Sequence, residues 1–136
     1  MPFDAELVFH DGTAITADIS PTSEVRSSGS AVIDLETETG AQGMVAVLIM
    51  AADLAETNDT FQVTIEECTT VDGTYAEVAR FPLLTKGTGM PGTYTRRFDA
   101  QKRYIRAKID VDDADAGSDF TVVAYILLSQ YPFKYL

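Results

Sequence analysis

Tryptophan is absent from this 136-residue chain, cysteine and histidine occur once each, and basic residues are outnumbered by acidic ones, 10 to 21. Each shortage excludes something. A lone Cys68 allows no intrachain disulfide, so the chain does not read as a small disulfide-stapled secreted scaffold. A lone His10 cannot supply the several histidines with which a cupin-type β-barrel holds a catalytic metal. A formal charge of −11 repels polyphosphate, which argues against nucleic acid as a partner. The longest apolar runs, "MVAVLIMAA" and "FTVVAYILL", fall well short of the roughly 20 residues of a membrane helix, so no membrane partner is expected. The opening "MPFDAELVFHDG" has neither a basic segment nor a long apolar core, so no signal or transit peptide is expected.

What the chain does contain is short runs of alternating apolar and polar residues, rich in β-branched and aromatic types and separated by Gly, Asp and Pro. No amphipathic helix competes with them. "AELVFH" meets Asp11-Gly12 and "TAITADI" follows, which predicts an amino-terminal hairpin or arm over residues 1–20. "SPTSEVRSSGS" reads as a loop, "AVIDLET" resumes, and Gly40 to Gly43 interrupts again before the run from Met44 to Ala52. In "TFQVTIEEC" Phe61, Val63 and Ile65 alternate with polar residues, and Asp72-Gly73 turns the chain into a partner strand. In "RYIRAKIDV", Ile105, Ala107, Ile109 and Val111 point one way and Tyr104, Arg106, Lys108 and Asp110 the other. About eight strands with turns at short intervals predict a single all-β domain over residues 1–136: a two-sheet antiparallel β-sandwich of the jelly-roll type.

Catalytic chemistry is thin. His10 sits beside Asp11 at a turn, but no G-x-S-x-G motif accompanies them and Cys68 has no second histidine to activate it. The acidic run Asp110, Asp112, Asp113, Asp115 and Asp119 invites calcium, yet its spacing fails the EF-hand loop. A solvated connection is the expected reading, with no cofactor and no metal. Six of the ten basic residues crowd between Arg96 and Lys108, and Tyr104, Arg106 and Lys108 share a face that suits ion pairs across sheets or subunits.

The closing strand poses a different problem. Phe120, Val122, Ala124, Ile126 and Leu128 make an adequate inner face, but Val123, Tyr125 and Leu127 on the other side are apolar too. Met44 to Ala52 has the same two-sided character. Either a loop of the same chain covers these outer faces or a partner surface does. Beyond Pro132, the tail over residues 130–136 adds Tyr131, Phe133, Tyr135 and Leu136, rings expected to dock outside the sheet.

The order of "FDAELVFHDGTAIT", "TFQVTIEECTTVDGTYAEVARF", "RYIRAKIDV" and "FTVVAYILLSQ" resembles the jelly-roll capsid cement, or decoration, proteins of tailed bacteriophages, and looks closest to the type on a short-tailed Bordetella phage. The resemblance implies a non-enzymatic virion protein, made in the host bacterial cytoplasm, that sits as a homotrimer on the outer capsid surface. It implies the phage major capsid protein as partner, with neighbouring capsid subunits clamped together. On that reading Val123, Tyr125 and Leu127 meet a neighbouring subunit, while Phe3, Tyr131, Phe133 and Tyr135, with Leu136, reach the capsid or an adjacent trimer. The alternative is a carbohydrate-binding β-sandwich module displaying surface tyrosines.

Overall fold

The computed structural model describes residues 7–87, 92–113 and 120–130. Nine strands occur among them: β1 (Val8–Asp11), β2 (Ile33–Asp34), β3 (Ala41–Met50), β4 (Thr60–Cys68), β5 (Ala76–Arg80), β6 (Leu84–Thr85), β7 (Gly92–Ala100), β8 (Tyr104–Asp112) and β9 (Ala124–Gln130). They form two antiparallel sheets, one ordered β1-β9-β3-β7 and the other β2-β8-β4-β5, with β6 paired to β4. Setting the two-residue β6 aside, the first strand pairs with the last, the second with the next to last, the third with the third from the end, and β4 with β5. That nesting is an antiparallel ribbon rolled over on itself, the jelly roll, and the chain is a β-sandwich of this kind.

Alternation explains which residues fill the space between the sheets. In β3, Met44, Ala46, Leu48 and Met50 are buried while Val45, Val47 and Ile49 are half-buried on the other face. Ile105, Ala107 and Ile109 of β8 line the same inner face of the second sheet as Phe61, Val63 and Ile65 of the neighbouring β4, all of them core residues. Phe9, Phe61, Phe81, Phe98 and Phe120 join the same cluster. Each such side chain contributes roughly 1.5–3 kcal/mol by leaving water, so the alternation largely fixes strand register.

Two glycine positions depart from the sequence reading. The interruption expected from Gly40 to Gly43 is shorter: β3 already starts at Ala41, and Gly43, at φ 70°, sits where the β3–β7 register slips by a bulge. Within the β4–β5 connection, which does form the expected hairpin, Gly73 has no positive φ. It is there for space, since a Cβ would overlap Thr70 Oγ1 and stand 2.7 Å from Cys68 Sγ.

The amino-terminal hairpin is not formed. Asp11 Oδ1 accepts from the Thr13 amide and hydroxyl, and Gly12 takes φ 93°, but the chain does not turn back on β1. It continues along the edge of the strand that precedes and includes β9, Ile15 exchanging both backbone bonds with Val122. It then crosses to the second sheet, where Ile19 exchanges both with Ile109. The free edge beside Val122 and the burial of Ile15 outweigh the local preference for a tight return. The other edge of β1 is met by residues 29–31 instead: the Asp11 amide donates to Gly29 O and the Ala31 amide to Phe9 O.

A candidate interaction surface

Two outer faces are available for a partner, and they differ. On the four-stranded sheet, pairing sets side chains in cross-strand rows: Val8, Leu127, Val47 and Thr95 in one, and Asp11, Tyr125, Ile49 and Thr93 in the next. Val45 lies between Ser129 and Arg97 in the third. The centre of this face is therefore aliphatic and aromatic, and its rim is threonine and charge. Val123 and Tyr125 are 37% and 42% exposed, whereas Leu127 is buried at 6%, flanked in register by Val8 and Val47. Of the predicted outer residues of the closing strand, two are thus open to contact and the third forms the floor between them and β1.

The outer face of the second sheet is polar and occupied by its own bonds. Arg106 Nε donates to Glu66 Oε1 at 2.9 Å, opposite it on β4, and a guanidinium NH donates to Pro21 O at 3.0 Å. The same guanidinium lies 4.0 Å from the centre of the Tyr75 ring. Tyr75 donates its hydroxyl to Val71 O, and burial pushes its phenol up to about 12. Lys108 approaches Asp110 at 3.9 Å with both side chains substantially exposed, and Tyr104 carries the Arg103 guanidinium 5.2 Å from its ring centre. The ion pairs expected of the Tyr104, Arg106 and Lys108 face thus lie within one sheet of one chain. Arg103 anchors the sheet edge by chelating Asp34 at 2.8 and 2.9 Å, and its hydrogen bonds hold the Asp34 carboxyl below the usual range.

The remaining chemical candidates are structural by geometry. A bulge in β1 between Val8 and His10 places both Phe9 and His10 on the inner side, where both are completely buried. His10 Nε2 donates to Thr13 O at 2.7 Å, which leaves Nδ1 to accept from the Ser30 hydroxyl at 2.7 Å, and burial pushes its pKa down. Both nitrogens of the ring are occupied in holding β1 to its two flanking loops. Cys68 is buried too. Of the acidic run, Asp113 brings its carboxylate within 4.8 Å of Glu56 and of the buried Asp59. That convergence joins two distant loops and was not legible in the spacing of the run. Asp115 and Asp119, like Phe3, Tyr131, Phe133, Tyr135 and Leu136, lie outside the described residues.

Among the described residues no helix is long and apolar enough to cross a membrane. Compared with protein-family models, curated proteins and solved structures, the chain matches none.

Proposed function

We propose that this chain is a non-enzymatic assembly protein that docks to protein surfaces through the outer face of its β1-β9-β3-β7 sheet. In its most specific form the proposal is a phage capsid cement protein, trimeric on the outer shell and bridging major capsid subunits. The observation that carries the docking reading is the contrast between the two sheets. One outer face is spent on its own ion pairs, and the other exposes Val123 and Tyr125 beside the half-buried Val45, Val47 and Ile49. A patch of this composition is worth more against another protein than against water. The capsid and the trimer come from the resemblance in strand order, and many copies of a modest interface would then sum by avidity to hold a shell closed.

The test is the solution mass of the purified protein by light scattering at low and high salt, followed by occupancy on expanded capsids. A stable particle of three 14.8-kDa chains, retained at high salt and lost in Tyr125→Asp, supports assembly through this face. A monomer at both salts that binds a glycan array and no capsid would replace the proposal with the carbohydrate-binding reading.

A further inference from the structure

A second surface lies where the edges of the two sheets come together at the side of the sandwich. Here a groove of about 380 Å³ runs between β2 and the segment around Glu24, with Val8, Ala31 and Ile33 as its apolar floor. Its rim carries Glu24, Asp34 and Glu36. The one cation in its lining, Arg26, is tied to the wall by bonds to Gly29 O and Val8 O at 2.7 Å each.

Backbone geometry adds to the charge. The Leu35 amide donates to Arg103 O on the β8 side of β2, while the Val32 amide donates to Ser23 O on the opposite side. Alternation along an antiparallel strand therefore turns the Asp34 N–H and C=O toward that opposite side, away from β8. No hydrogen bond among the described residues occupies them. Glu24 and Glu36 make no ion pair among the described residues either. The groove thus offers one unused backbone position on the strand edge, at Asp34, with an apolar floor and, in Glu24 and Glu36, two carboxylates outside any ion pair among the described residues.

From this juxtaposition we infer that the β2 edge captures an extended basic segment of a partner protein, added antiparallel or parallel as an extra strand of the second sheet. A segment alternating Lys or Arg with Val or Ile fits. Its aliphatic residues extend the row of Ile33 toward Val8, and its cations reach Glu24 and Glu36, the Asp34 carboxylate being already held by Arg103. Main-chain bonds to Asp34 supply affinity, and the acidic rim selects against acidic segments. This surface shares only Val8, on the edge strand β1, with the residues named for the outer face of the four-stranded sheet, so it extends the assembly reading to a second contact whose success or failure is read independently of solution mass.

The experiment is titration of a short fluorescein-labelled peptide of alternating lysine and valine, with a glutamate-valine peptide as control. It is followed by anisotropy at low and high salt and by amide chemical shifts of the labelled protein. The lysine-valine peptide is expected to bind, with the largest amide shifts from Val32 to Glu36. The double reversal Glu24→Lys with Glu36→Lys is expected to weaken binding about tenfold or more while the urea midpoint and solution mass stay unchanged. Absence of binding by the lysine-valine peptide, equal binding of both peptides, shifts centred on another edge, or indifference to the double reversal would each overturn the assignment.

Discussion

The ring of Tyr125 occupies the space in which a side chain at Gly12 would begin: a Cβ there would overlap the ring edge, standing 2.6 Å from Cζ. Gly12 also holds φ 93°, a conformation that L side chains rarely adopt. One residue thus serves both the path of the amino-terminal segment and the posture of an exposed ring on the proposed docking face. Gly12→Ala is expected to destabilise the fold by about 1–3 kcal/mol, read as a fall in urea midpoint. Adding Tyr125→Ala should recover only the steric part, since the backbone strain at 12 is independent of the ring.

His10 gives the fold a pH dependence whose sign follows from its burial. Its folded pKa lies below the ordinary 6.5, so between that lowered value and 6.5 the unfolded chain binds more protons than the folded one. Stability is therefore full above 6.5 and declines as pH falls through and below it. The hydrogen bonds from Thr13 to Asp11 and from Arg103 to Asp34 lower those carboxyls, so their contributions are lost only below about 3.8. Denaturation from pH 7.5 down to pH 5 should show a falling midpoint in the native chain. A His10→Asn variant, though less stable throughout, should show a flatter profile in that window.

Much of this was legible in the residues themselves. The inner faces of β3, β4, β8 and β9 follow from alternation because burial of one face leaves register little freedom, and Asp72-Gly73 correctly joins β4 to β5. The same dipeptide type at Asp11-Gly12 misled, because local turn preference carries no information about the free edge near Val122 that draws Ile15 onward. Leu127 and Tyr125 are equally apolar outer residues in sequence. Their difference in exposure depends on β1 arriving beside Leu127, which no local pattern announces. Neither the β2 groove nor the meeting of Glu56, Asp59 and Asp113 was visible, since each joins segments far apart in the chain.

Arg106 separates an intrachain role from an intersubunit one. Its guanidinium bridges Glu66 and Pro21 O over the Tyr75 ring, and both side chains of the ion pair are only 12% exposed. Arg106→Met leaves Glu66 partly buried without its cation and should cost about 2–4 kcal/mol. Arg106→Lys keeps the charge but loses the planar fork and the ring stacking, and should fall between native and Met. Light scattering on both variants should give the native mass, because the contacts of this side chain to Glu66, Pro21 and Tyr75 lie within one chain; dissociation of a native oligomer by Arg106→Lys would show that the residue reaches a neighbour.

The closing strand allows the fold and the docking face to be separated one residue at a time. Leu127 is buried between Val8 and Val47, so Leu127→Ala removes methyl groups from a packed position and should cost about 2–3 kcal/mol. Val123, immediately before β9, is 37% exposed, and Val123→Ala should stay within roughly 0.5 kcal/mol. If the face docks against a protein, the order reverses for assembly. Val123→Asp, paired with an unchanged urea midpoint, should dissociate the oligomer, because a carboxylate entering an apolar contact loses its water without gaining a partner. Val123→Asp that leaves the oligomer intact would place the contact elsewhere on the molecule. Leu127→Ala that leaves stability unchanged would mean that Val8 and Val47 do not seal this position in solution.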